Sequence, residues 1–344
     1  MIIALMIKAI ILPLLSRRLI TKEYHQRDQK EKFVFSPQEI ELRDDAFHIT
    51  GLLPFTEWWY FDAKFENGYT VQLGIRVISF LKRFIVFSRL DIYKDGNLLS
   101  HKRKTYIMND FQISSEEPNI KLAEKEIIKG YVDKDTGKWI YNLSFELYET
   151  SAVLQFTGLT KGWTGKVPGS NWVVALPRAE VRGKIRVNGK EIDVKGIGYH
   201  DHNWDVKPSA VIFNYGWTWG KINSKNYTMT WANIMETRSR SNLILVINKK
   251  NNGHVNINPK YLKIVTKDSS MQKEEKIQNG FTIEVNNDNL SIYVDMKVLD
   301  IHHVRIMGFM KYWRYHVRCT GSITFENKKE TIDEIQMAEF LKFK

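Results

Sequence analysis

The sequence predicts an all-β chain in which antiparallel strands are joined by short hairpins, and three observations carry that prediction. Apolar and polar residues alternate over long runs, as in Tyr69, Val71, Leu73, Ile75 and Val77 against Thr70, Gln72, Gly74 and Arg76. Turn signals punctuate the runs at Asp95-Gly96, Asn188-Gly189, Asn251-Asn252-Gly253 and Asn286-Asn287-Asp288. No helical stripe of comparable strength occurs between residues 40 and 330. Such patterning belongs to β-sandwiches or up-and-down barrels. At 344 residues the chain is long for one domain and comfortable for two. Halves of about 150 residues suit two barrels in tandem.

Taken in order, residues 2–15 are apolar except for Lys8, and Ser16-Arg17-Arg18 follows. As a helix this run would span roughly 21 Å, short of a ~30 Å hydrocarbon core. The positive residues follow the apolar run, and no small-residue cleavage site is evident, so a cleaved signal peptide fits poorly. A short apolar helix, either a shallow membrane anchor or a packed element, is expected here, with Arg17, Arg18 and Lys22 near lipid headgroups. Residues 1–35 thus form an apolar segment and a charged linker, 36–207 the first β domain and 208–344 the second. The boundary is placed at Val206–Ser209, where Lys207-Pro208-Ser209 has the character of a connector.

A hydrophobic content of 43% with 26% charged residues is enough for a real core. The 18 Phe, 15 Tyr and 10 Trp, many on alternating strand faces, suit an apolar cavity as well as a solid core. The net charge of +12 favours polyanions. There is no zinc-ligand spacing, no aromatic-glycine RNA-binding signature and no basic helix, so nucleic acid is not expected as a partner. Scattered basic residues read first as solvated surface, and an anionic membrane surface is the polyanion that fits the N-terminal segment. The single Cys319 excludes an intramolecular disulfide and fits a cytoplasmic location, with membrane association through residues 2–15.

The densest chemistry lies in Gly196–Asp205, G-I-G-Y-H-D-H-N-W-D. Gly196 and Gly198 are expected to permit a sharp bend before the polar run. In extended chain His200, His202 and Trp204 share one face, and Asp201 and Asn203 share the other. One face would line a pocket while the other anchors it. Earlier, in Thr56–Asp62, Trp58 and Tyr60 share a face opposite Trp59 and Phe61. Glu57 beside the indoles would be raised in pKa by desolvation, unless an arginine pairs with it. In the second half, Trp217 and Trp219 lie in G-W-T-W-G. On the following strand Tyr227, Met229, Trp231, Asn233 and Met235 share a face, which is either core or a cavity wall. An amide such as Asn233 there needs a partner. His200-x-His202 would chelate a metal only with a third ligand, and none stands at a recognisable spacing. There is no phosphate loop, G-x-S-x-G elbow or Cys nucleophile pattern, and neither metal nor cofactor is expected.

Four blocks occur together in order: E-W-W-Y-F-D, P-R-A-E-V-R-G at Pro177–Gly183, G-x-G-Y-H-D-H-N-W, and W-T-W-G at Trp217–Gly220. Through them the chain resembles the carotenoid 1,2-hydratase (hydroxyneurosporene synthase) and AttH-like family over roughly residues 50–340. The resemblance implies two tandem lipocalin-like barrels with a pocket near where they meet. It also implies protonation of an isoprenoid double bond and addition of water, without redox cofactor or metal. His202 and Trp204 match the family's His and Trp in H-N-W, whereas its later Tyr-x-Asp falls on Trp231-Ala232-Asn233. Asn233 cannot act as a Brønsted acid, so that role passes to Asp201 or Glu57, with His202 positioning water or orienting the acid. Asn233 and Tyr227 would still serve cyclisation or isomerisation by polarising the substrate. Trp58, Tyr60, His200, Trp204, Trp217, Trp219, Tyr227 and Trp231 are then the expected substrate-binding set. The expected activity is hydration, or cyclisation or isomerisation, of a hydrophobic isoprenoid-like substrate. The alternative is a lipid-binding protein at a membrane, in which H-D-H-N-W is a structural knot.

Overall fold

The computed structural model describes residue 33 and residues 35–49, 55–80, 83–107, 110–206, 215–237, 240–250, 252–272, 275–306 and 310–343. The predicted N-terminal apolar segment and the Lys207-Pro208-Ser209 connector lie outside the described residues. No helix among the described residues is long and apolar enough to cross a membrane.

The first sheet is built from β1 (Phe55–Phe65), β2 (Tyr69–Phe80), β3 (Arg83–Lys94), β4 (Asn97–Ile107), β5 (Phe111–Ile113), β6 (Asn119–Leu122), β7 (Lys125–Val132), β8 (Trp139–Leu147), β9 (Thr150–Gly158), β10 (Trp163–Val167), β11 (Ser170–Val187) and β12 (Lys190–Val206). Their order is β4-β3-β2-β1-β12-β11-β9-β8-β7-β6-β5, with β10 paired to β11. The second contains β13 (Gly216–Asn223), β14 (Tyr227–Met235), β15 (Ser241–Lys249), β16 (Asn252–Asn256), β17 (Leu262–Gln272), β18 (Glu275–Asn287), β19 (Leu290–Ile306), β20 (Met310–Phe325) and β21 (Lys328–Lys342). Its order is β16-β15-β14-β13-β21-β20-β19-β18-β17. Every pairing is antiparallel, as the alternation predicts. Asp95-Gly96 and Asn188-Gly189 both take positive φ at the hairpin tips, the geometry that matches strand twist.

Of the two expected barrels, the structure has one nearly closed antiparallel barrel and a second sheet of nine strands. Val71, Leu73, Ile75 and Val77 of β2 are fully buried in the first core, with Phe61, Leu143, Phe145 and Phe156. The second core gathers Trp231, Phe281, Trp313 and Tyr315. A third cluster, with Trp163, Trp172, Tyr199, Trp219 and Ile234, joins the two sheets. Polar contacts also cross this seam: Lys221 pairs with Asp62, and Arg314 Nη1 donates to Tyr60 Oη at 3.0 Å. Gly196 and Gly198 do not bend the chain, because both lie within the continuous strand β12. A Cβ at Gly196 would stand 2.0 Å from the Lys64 carbonyl oxygen, so bare backbone is what lets β1 lie alongside.

Candidate active site

The site follows from the pairing of β1 with β12. Trp59 lies opposite His202 and Phe61 opposite His200, with their side chains inside the first barrel. Trp58, Tyr60, Tyr199 and Asp201 therefore project outward, towards the second sheet.

The inward face forms a closed polar knot. His200 Nε2 lies 2.8 Å from Asp45 Oδ2, and Nδ1 lies 2.9 Å from the Tyr60 carbonyl. Tyr141 Oη donates to Asp45 Oδ2 at 2.6 Å. His202 Nε2 contacts Glu57 Oε1 at 2.8 Å, and Nδ1 lies 3.2 Å from Asp45 Oδ1. Phe61 stacks on His200 at 3.7 Å between centroids and Trp59 on His202 at 4.3 Å. Trp204 stacks on His48 at 3.9 Å. Burial disfavours charge on His202, yet hydrogen bonds and charges from Asp45 and Glu57 outweigh it and raise its pKa to about 9. Burial likewise opposes charge on Asp45, but His200 and His202 hold its carboxyl well below the usual range. His48, Glu57 and His202 also bring metal-ligating atoms within 4.8 Å of one another. No third ligand for His200-x-His202 stands at a recognisable spacing in the sequence; the fold instead brings His48 and Glu57 beside His202, and His200 is not part of that group.

The outward face opens on a cavity of about 130 Å³ between the sheets. Trp58, Tyr60 and Asp201 of the first sheet line it with Trp217, Trp219 and Glu339 of the second. Tyr199 Oη and Trp172 Nε1 donate to Asp201 Oδ2 at 2.8 and 3.0 Å. Among the described residues Oδ1 has no hydrogen-bond partner, so a proton on this carboxyl belongs on Oδ1. Burial raises the pKa of Asp201 to about 7, against the lowering effect of those two donors. Glu339 accepts from Trp217 Nε1 at 2.9 Å and from Tyr312 Oη at 2.7 Å. Two carboxyl groups in different environments thus face one aromatic cavity.

The expected site residues divide between these faces. Asp201, Trp58, Tyr60, Trp217 and Trp219 come together at the cavity. Glu57, His200, His202 and Trp204 belong to the inward knot, so His202 is not positioned to handle water in the cavity. Tyr227 and Trp231 pack into the second core, and Asn233 is on their strand face, its buried Oδ1 without a hydrogen-bond partner among the described residues. The cavity is instead bordered on β14 by the alternate residues Ala232 and Ile234. Sequence reasoning missed Arg76, Trp172, Tyr199 and Glu339. Arg76 alone left a signal, as the only basic residue in the Tyr69–Val77 run.

No protein-family model matches this sequence, and no curated protein matches it. Its architecture is shared with solved structures of the two-sheet all-β class. A protein assigned as AttH from Nitrosomonas europaea superposes with a TM-score of 0.66 at 14% identity, covering 89% of this chain and 97% of that one. CghA in complex with Sch210972 gives 0.60 at 10%, covering 84% and 88%. Kievitone hydratase from Nectria haematococca gives 0.51 at 10%, covering 83% and 88%. At these identities the likeness is one of fold.

Proposed function

We propose that the protein is a cofactor-independent hydratase or cyclase/isomerase acting on a hydrophobic, isoprenoid-like substrate, with Asp201 as the proton donor. The observation that carries this reading is the Asp201 carboxyl, held near pKa 7 by burial and fixed through Oδ2 in an aromatic cavity. That one structure sharing the fold is named a hydratase, and another is described with a small molecule bound, supports the same reading.

In the proposed step, Asp201 Oδ1–H adds its proton to one carbon of a double bond. The π electrons form the new C–H bond and leave a cation on the other carbon. The faces of Trp58, Trp217 and Trp219 stabilise that cation by cation–π attraction. Water adding to the cation sheds a proton to the Glu339 carboxylate, which gives the hydrated product. Transfer of a proton from a carbon next to the cation to Glu339 gives the isomerised product; attack by a second double bond first moves the cation to a new carbon, and the same proton transfer beside that carbon then gives the cyclised one. An engineered apolar cavity of roughly 150 Å³ accepts benzene, so about 130 Å³ holds a ring or chain end, with any longer substrate protruding.

The test is incubation of purified protein with a lipid extract of the source cells in ordinary and heavy water, read by mass spectrometry. A product gaining water, or gaining deuterium without net addition, is expected from the wild type, and Asp201→Asn should lower its rate by roughly 10²–10⁴-fold with the fold intact. A lipid that co-purifies and returns unchanged would instead identify a lipid-binding protein.

A further inference from the structure

The charges around the cavity do not balance. Arg89, on its wall, is paired with Asp91 through Nε at 2.7 Å, and Asp91 also meets His101 at 2.6 Å. Glu339 is served by Trp217, Tyr312 and Arg314. Arg76 also lines the cavity, and among the described residues its guanidinium has no hydrogen-bond or carboxylate partner. Its one close contact is the Trp58 ring, 5.1 Å from the guanidinium carbon.

Arg89 and Arg103 add positive charge around it, and the Glu339 carboxylate, which has donors of its own, offsets part of that charge from a distance without pairing with Arg76. Arg76 lies on β2, Arg89 on β3 and Arg103 on β4, all on the strand face that looks out of the barrel, and Arg89 stands directly opposite Arg103. Like charges opposed across strands are destabilising. An incompletely solvated guanidinium without an anion is also costly to hold. Burial, with repulsion from Arg89 and Arg103, lowers the pKa of Arg76 to about 10, which leaves it charged at neutral pH. A guanidinium beside an aromatic wall, with no anion in contact among the described residues, is the arrangement that recognises one. The flat fork of a guanidinium matches the two oxygens of a carboxylate.

On the reading that this cavity is the reaction site, we propose that Arg76 binds a carboxylate on the substrate and holds the hydrocarbon part against the stacked pair Trp58 and Trp217, towards Asp201. The substrate is then an amphipathic carboxylic acid rather than a neutral hydrocarbon. Arg76 supplies orientation: with the acid group held at the β2 wall, the reacting double bond is presented to Asp201.

Calorimetric titration of the full chain with phenylpropanoate, phenylpropanol and phenylpropyl phosphate tests this. The wild type should bind the carboxylate at least about tenfold more tightly than the alcohol, the usual worth of a charge-assisted pair. Arg76→Met keeps the stem against Trp58 and should lose that preference while its affinity for the alcohol is unchanged. Arg76→Lys should keep part of it. Equal affinity for acid and alcohol in the wild type overturns the proposal, as does a preference that survives in Arg76→Met. Tighter binding of the phosphate overturns the carboxylate assignment. The proton-donor reading is judged separately, by the turnover of Asp201→Asn, so either can fail while the other stands.

Discussion

At the scale of single residues, Asp201 shows how position sets chemistry. The same side chain exposed to solvent would be a carboxylate with an ordinary pKa near 3.9. Here burial raises it to about 7, and Trp172 and Tyr199 moderate the rise by hydrogen-bonding its charged form. In the proposed role of proton donor, Asp201 loses its proton as pH rises through about 7, so turnover should fall there. Trp172→Phe removes one stabiliser of the carboxylate and should move that falling limb to higher pH, as the pH–rate profile or a carboxyl NMR titration would show. A limb that stays put, or moves down, would mean another group sets it.

At the scale of the element, β12 carries two unrelated jobs on its two faces. Its outward residues Tyr199 and Asp201 serve the cavity, and its inward residues His200 and His202 bind Asp45 and Glu57 into the barrel. Because the folded pKa of His202 is raised from 6.5 to about 9, its stabilisation is fully present below about pH 6.5 and is lost as pH rises through 9. His202→Gln leaves two buried carboxylates without their imidazolium. It should cost about 3–5 kcal/mol at pH 6 and much less above pH 9, read by denaturant unfolding at both pH values. A pH-independent loss would show that packing against Trp59, rather than charge, is what His202 contributes.

At the scale of the molecule, the cavity exists only because two sheets meet. Tyr60 and Tyr199 of the first pack on Trp219 of the second at 5.7 and 5.1 Å, and the buried Lys221–Asp62 pair crosses the same seam. Lys221→Met strands the Asp62 carboxylate beside Tyr60 and should destabilise the protein by about 3–5 kcal/mol. Trp219 fluorescence should then report loosening of the seam before the cores unfold. Unfolding that remains a single transition of unchanged midpoint would show that the aromatic cluster alone holds the sheets together.

The strands, their hairpins and the two faces of Gly196–Asp205 were legible in the sequence, because a two-residue alternation is a local property of extended chain. The sequence also singled out Trp58, Tyr60, Asp201, Trp217 and Trp219, and the fold brings these five to one cavity. Which face of β12 meets the cavity was not legible, because that depends on the curl of the first barrel and on what lies across from each face. Asp45 and His48 reach the histidines only through the path of the segment before β1, and Glu339 reaches the cavity only through the pairing of β21 with β13. Alternation says that two faces differ. Long-range pairing decides which one is sealed as a charged knot and which one borders a cavity, since desolvation depends on every atom that surrounds a group and not on its neighbours in the chain.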